Sequence, residues 1–132
     1  MSALLVEDLL GDRRVVPRGP VVVGGFSQGA IVASEVAFRS DVRLSALILL
    51  SATLVDEPSW ESHFRQRRDL PVFIAHGRAD AVFPFAIADR FRQKLEAAGM
   101  PVTWYPFDGD HEIPAVVVGA LNEFVQRLQL TR

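Results

Sequence analysis

Serine is a poor nucleophile until a base takes its proton and an acid orients that base. This chain offers one residue of each kind in a suitable setting: Ser27, His111 and Asp80. Ser27 lies in Gly25-Phe26-Ser27-Gln28-Gly29, which follows the apolar run Val21-Val22-Val23 and leads into a helical stretch over residues 30–38. A G-x-S-x-G between a strand and a helix has the context of a nucleophile elbow, a tight turn that lifts the serine Oγ above the end of a sheet. Such a turn needs small neighbours, so a Cβ at Gly25 or at Gly29 is expected to crowd the backbone. The helix behind the serine aims backbone N–H groups at the same spot.

The other two residues follow separate apolar runs. Val72-Phe73-Ile74-Ala75 is succeeded by His76-Gly77-Arg78-Ala79-Asp80, and Val102-Thr103-Trp104-Tyr105 by Phe107-Asp108-Gly109-Asp110-His111-Glu112. If both runs are parallel strands, Asp80 and His111 fall on loops at the C-terminal edge of the sheet, where open α/β sheets gather their reactive groups. Asp108 is a rival acid, but it shares the histidine's own loop, and Asp80 is preferred. His76 ends a buried strand and reads as a histidine hydrogen-bonded to backbone. His63, beside Glu61, Arg65 and Arg67, reads as a solvated surface residue, as does the charged run over residues 65–69.

The elements that must position these groups alternate between strand-like and helix-like patterns, which argues for a parallel sheet covered by helices. Residues 21–23, 44–50 and 72–75 are nearly continuous apolar runs, as expected for strands buried on both faces, and 102–105 is rich in β-branched and aromatic residues. Residues 85–98 carry apolar side chains at Ile87, Ala88, Phe91, Leu95 and Ala98, and stop at Gly99 with Pro101 beyond. In the last segment Val117, Ala120, Leu121, Phe124, Val125 and Leu128 form one stripe. Residues 54–70 are expected to hold one short helix, with Trp60 and Phe64 over the core and a substrate contact by Trp60 as the lesser reading. The first ten residues read as a helix with Leu4, Leu5 and Leu9 inward.

Composition narrows the functions open to this arrangement. With 132 residues, 49% hydrophobic and 23% charged, the chain reads as one ordinary α/β domain over residues 1–132. Sixteen acidic against fourteen basic residues give a net charge of −2 and no basic stripe, which disfavours nucleic acid as a partner. Absence of cysteine removes disulfides and thiolate chemistry, and three scattered histidines make a poor zinc set, so no metal is expected. The N-terminal residues lack a basic leader region, and no apolar run approaches the roughly 20 residues of a membrane span. A cytoplasmic location is the expectation.

Gly25-Phe26-Ser27-Gln28-Gly29, His76-Gly77 followed by Asp80 and Pro84, and His111-Glu112 together resemble the phospholipase/carboxylesterase family of α/β hydrolases, which includes the acyl-protein thioesterases. The likeness spans most of residues 20–128 and corresponds to the C-terminal part of that family. It implies a truncated α/β-hydrolase, a mostly parallel sheet of about four strands with helices on both faces. By this resemblance Ser27 is the nucleophile, His111 the general base and Asp80 its partner, while the Gln28 N–H supplies one oxyanion donor. The substrate would be a small ester or thioester, cleaved through an acyl-enzyme without a cofactor. Leu54, Val82 and Phe83 are candidates to flank a short or medium apolar acyl group. Asp110 departs from the glycine that the family pattern places before the histidine.

A second departure concerns the start of the chain. Only about twenty residues precede the elbow strand, without the glycine-containing loop that provides the family's second oxyanion donor. Loss of one such donor typically costs 10²–10³ in kcat, roughly 3–4 kcal/mol. The strand at residues 21–24 would then lie at an open sheet edge, so the expectation is a homo-oligomer paired through that edge, or the first helix folded across it. The competing reading is a catalytically impaired fragment acting as a self-associating or partner-binding module.

Overall fold

The computed structural model describes residues 21–128. Four strands, β1 (Val22–Phe26), β2 (Ala46–Leu50), β3 (Val72–Gly77) and β4 (Val102–Phe107), pair in the order β1-β2-β3-β4, and every pairing is parallel. The helices are α1 (Gln28–Arg39), α2 (Glu57–Glu61), α3 (Phe85–Ala97) and α4 (Ala115–Leu128), with a 3₁₀ turn at Phe64–Arg67. The expected α/β class and four-stranded parallel sheet are therefore present. The expected helix over residues 1–10 lies outside the described residues.

Strand order explains how the helices are distributed. Each strand lies beside the one before it, and parallel crossovers share one hand, so the connecting helices must fall on the same face. Phe38 of α1, Trp60 of α2, Phe64 of the 3₁₀ turn and Phe91 of α3 accordingly pack in one cluster with Val23, Leu47, Leu49, Val72 and Ile74. Because side chains alternate along a strand, Ala46, Ile48, Leu50, Phe73 and Ala75 face the other way, where Val117 and Phe124 of α4 join them. Both faces being covered, the near-continuous apolar runs are what burial requires.

Aromatic contacts tie the crossover face together. The Phe38 and Phe64 rings meet edge-on with centroids 4.7 Å apart, and Trp60 stacks on Phe91 at 5.8 Å. Such pairs contribute about 0.5–1.5 kcal/mol each beyond their buried area. Trp60 is fully buried and donates its indole N–H to Glu35 Oε2 at 2.9 Å, so it is a core residue and not a substrate contact.

Several local expectations are corrected. The connection over residues 54–70 holds a 3₁₀ turn as well as a helix. Arg67 does not belong to a solvated face: it is half-buried and donates from Nε to the Ala37 carbonyl at 2.7 Å and from a terminal nitrogen to Ser40 O at 3.1 Å. It thereby satisfies carbonyls that the end of α1 leaves without partners. Its burial lowers its pKa, against the opposing charge of Asp41. His63 is likewise half-buried, with Nδ1 3.0 Å from Ser59 O. Helix α3 ends as expected: Gly99 takes a φ of 99°, while its N–H bonds Glu96 O and that of Met100 bonds Leu95 O.

Candidate active site

Ser27 joins β1 to α1 with no intervening residue, and its backbone takes φ 58° and ψ −115°. Holding a non-glycine residue there costs of order 1–3 kcal/mol and requires surroundings that leave no alternative. The Ser27 N–H donates to Leu50 O on the neighbouring strand at 2.9 Å, while its own carbonyl accepts from Ala30 N–H at 2.9 Å. Sterics complete the constraint. A Cβ on Gly25 would collide with the backbone of Gly29, whereas one on Gly29 would meet nothing within 4 Å. The expected crowding thus exists at Gly25 alone; Gly29 matters for where its backbone runs.

Asp80 lies in the turn after β3, and its side chain is buried. Its Oδ1 accepts the N–H groups of Val82 at 2.8 Å and Phe83 at 2.7 Å, leaving Oδ2 for His111. Burial alone would raise the carboxyl pKa. The hydrogen bond from His111, the two backbone N–H groups and the histidine's charge outweigh it and hold Asp80 below the ordinary carboxylate range.

The loop after β4 carries His111 back over the end of β3. Gly77 makes that crossing feasible, since a Cβ there would strike the backbone of Gly109 and Asp110. The crossing is tied by Arg78 N–H to Phe107 O at 2.8 Å and by Ala79 N–H to Gly109 O at 2.9 Å. Asp110 adds a side-chain clasp: its Oδ1 accepts from Ala81 N–H at 2.9 Å and from His111 N–H at 2.7 Å. Glu112 Oε2 accepts from Asp110 N–H at 3.1 Å.

These loops bring the three sequence-derived residues together. His111 Nδ1 is 2.9 Å from Asp80 Oδ2, and His111 Nε2 is 2.7 Å from Ser27 Oγ. Because the carboxylate only accepts, Nδ1 carries a ring proton, and in the neutral ring Nε2 faces the serine hydroxyl as an acceptor. Asp108 points away, 98% exposed at its side chain and 3.5 Å from Arg78. Gln28 is the first residue of α1, where no carbonyl one turn earlier can take its N–H.

The residues expected to flank substrate are placed unequally. Phe83 sets its ring edge-on to His111 with centroids 5.4 Å apart. Val82 is 57% exposed, and Leu54 packs against the margin of the crossover-face core. Sequence reasoning missed Phe26, whose ring lies 5.0 Å from the imidazole; its place in the strand immediately before the serine was the available signal. It also missed the clasp by Asp110. Among the described residues no three His, Asp or Glu side chains gather as a metal site, and no helix is long and apolar enough to cross a membrane.

Comparison with known proteins agrees with this architecture. The sequence pattern of the phospholipase/carboxylesterase family matches residues 2–129. Acyl-protein thioesterase 1 of Yarrowia lipolytica is 30% identical over 97 residues, covering 71% of this chain and 43% of that protein. Acyl-protein thioesterase 1 of Neurospora crassa is 29% identical over 121 residues, covering 83% and 46%. The crystal structure of Arabidopsis thaliana SOBER1 superposes with a TM-score of 0.76 at 18% identity, over 96% of this chain and 60% of that one, a likeness of fold. The chain thus spans about half the length of the relatives it matches in sequence. With the family pattern running through nearly the whole sequence, the chain belongs to the phospholipase/carboxylesterase family of α/β hydrolases.

Proposed function

We propose that this chain hydrolyses carboxylic esters or thioesters of small, apolar acyl groups through a serine-bound acyl intermediate. The observation that carries the reading is the continuous Ser27–His111–Asp80 relay, with contacts of 2.7 and 2.9 Å. His111 Nε2 takes the Ser27 proton as Oγ forms a bond to the substrate carbonyl carbon. The Gln28 N–H and the start of α1 face the oxygen that becomes negative. His111 then gives its proton to the departing alcohol or thiol as the acyl bond breaks. Water repeats the sequence on the acyl-serine and releases the acid, restoring the starting protonation. Phe83, with Val82 and Leu54, would shape the acyl side. Membership of a family whose relatives include acyl-protein thioesterases supports the same chemistry.

Hydrolysis of an activated short-chain aryl ester by the purified chain and by Ser27→Ala tests the reading. Turnover that falls to background in the variant is expected, together with loss of covalent labelling by a fluorophosphonate. Equal rates in both proteins would refute it.

A second proposal concerns assembly. Among the described residues β1 pairs only with β2, so we infer that two copies associate through the side of β1 that faces away from β2. Light scattering at micromolar concentration should then give twice the chain mass; a monomer whose β1 amides exchange freely would sink the idea.

A further inference from the structure

His76 is the one fully buried histidine among the described residues, and the chemistry outlined above makes no use of it. It is the penultimate residue of β3, four positions before Asp80. Its Nε2 is 2.8 Å from Phe83 O and 3.4 Å from Asp80 Oδ2, two groups that only accept. Nε2 therefore carries a hydrogen. Nδ1 is buried and has no protein partner among the described residues. Buried donors are rarely left orphaned, whereas a bare ring nitrogen forfeits less, which assigns the proton to Nε2 alone. Ser51 Oγ, one residue beyond the Leu50–Ala75 pairing, is likewise buried without a partner among the described residues.

We propose that His76 is a positioning residue for the acyl-transfer centre: its Nε2–H pins the 80–83 turn through Phe83 O and comes within 3.4 Å of Asp80 Oδ2, fixing where that oxygen meets His111. The turn is held at both ends by this arrangement. Phe83 gives its N–H to Asp80 and receives a hydrogen bond at its carbonyl from His76, so residue 83 links the buried ring to the acid. Asp80 Oδ2 lies between two imidazoles, 2.9 Å from His111 Nδ1 and 3.4 Å from His76 Nε2. A carboxylate flanked in this way has one orientation. Removing the lower donor frees the turn to tilt and lengthens the upper hydrogen bond without touching substrate.

The inference rests on the proposed hydrolase reading for its kinetic consequence, not for its structural one. The experiment uses the full chain with ¹⁵N-labelled histidine, comparing wild type with His76→Leu, which removes the donor, and His76→Gln, whose side-chain amide restores one near the Nε2 position. In the wild type, His76 Nδ1 should resonate as a bare, pyridine-type nitrogen and Nε2 as a protonated one. The His111 Nδ1–H proton should appear far downfield, move upfield or broaden in His76→Leu, and return in His76→Gln. Fluorophosphonate labelling of Ser27 should slow about 10- to 100-fold in the leucine variant, the equivalent of one charge-assisted hydrogen bond, with unchanged affinity for the probe and recovery in the glutamine variant. A protonated Nδ1, or leucine and glutamine variants alike in the His111 resonance, would overturn the proposal. Should the wild type fail to label at all, the hydrolase reading falls while the resonances still decide the role of His76. If His76→Leu does not fold, the wild-type tautomer and the glutamine variant carry the decision.

Discussion

The elbow and the paired acid–base loops hold their groups by different physical means. Ser27 is fixed by backbone geometry: a positive φ, a helix beginning at the next residue and a glycine whose Cβ would have no room. Asp80 and His111 are fixed by hydrogen bonds, since Val82, Phe83, Ala81 and the His111 backbone all donate to the carboxylates of Asp80 and Asp110. Steric placement is all-or-none, whereas hydrogen-bonded placement weakens by degrees and titrates. The difference teaches where each half of the site should break.

The largest effect is expected at Asp80. Asp80→Asn keeps the shape but lets an amide donate to His111 Nδ1, leaving Nε2 protonated and unable to accept from Ser27; ester turnover should fall roughly 10⁴-fold with the fold retained. The same carboxyl gives the loops a pH dependence that the elbow lacks. Its pKa is depressed on folding, so the stability it contributes is complete above its unfolded value and is lost as pH falls through the depressed folded value. Acid titration of the melting temperature in wild type and Asp80→Asn should show a shallower slope for the variant in that window. Parallel curves would mean that Asp80 is not the group responsible.

Next comes the elbow itself. Gly25→Ala should destabilise by about 3 kcal/mol or more, because backbone and not a flexible side chain occupies the space. Denaturant unfolding or loss of soluble protein reads this out. Asp110→Gly, which restores the residue expected from the family pattern, should cost only about 1–2 kcal/mol through the lost acceptor for Ala81 and His111. Turnover should drop with little change in KM. The smallest effect belongs to Gly29→Ala, which faces open space and should leave stability within about 0.5 kcal/mol. A Gly29 variant as damaged as the Gly25 one would erase the steric asymmetry of the turn.

The same contrast governs what could be read from the amino acids alone. Steric demands leave signatures in residue type, so Gly25, Gly99 and the apolar runs of β2 and β3 mark the elbow, a helix end and a doubly covered sheet, while the chain crossing at Gly77 emerges only in three dimensions. Order along the chain then suffices to propose Ser27, Asp80 and His111. Hydrogen-bonded positioning leaves weaker marks, because an aspartate is equally at home in solvent. Asp110 was visible only as an oddity, Arg67 as part of a charged run, and the split of residues 54–70 into a helix and a 3₁₀ turn not at all. Each of these depends on which distant carbonyl or N–H comes within reach, information that spacing does not contain. The assignment of equal crowding to Gly25 and Gly29 failed for a related reason: both glycines serve one close approach, but only one of them has its missing Cβ at the contact.

Strand order carries one last consequence. Ser27 extends from β1 and His111 from the loop after β4, the outermost members of the described sheet, and that loop reaches back over the end of β3, so their 2.7 Å contact closes a circuit through all three strand pairings. Dimensional errors in series add. A small splaying at any pairing, or a change of twist shared among them, accumulates at the gap between hydroxyl and imidazole, and a register slip of one residue on β4 displaces the ring by about 3.3 Å, beyond hydrogen-bond range. The hydroxyl–imidazole contact is therefore a gauge of the described sheet, held at hydrogen-bond range only when its four strands keep their spacing.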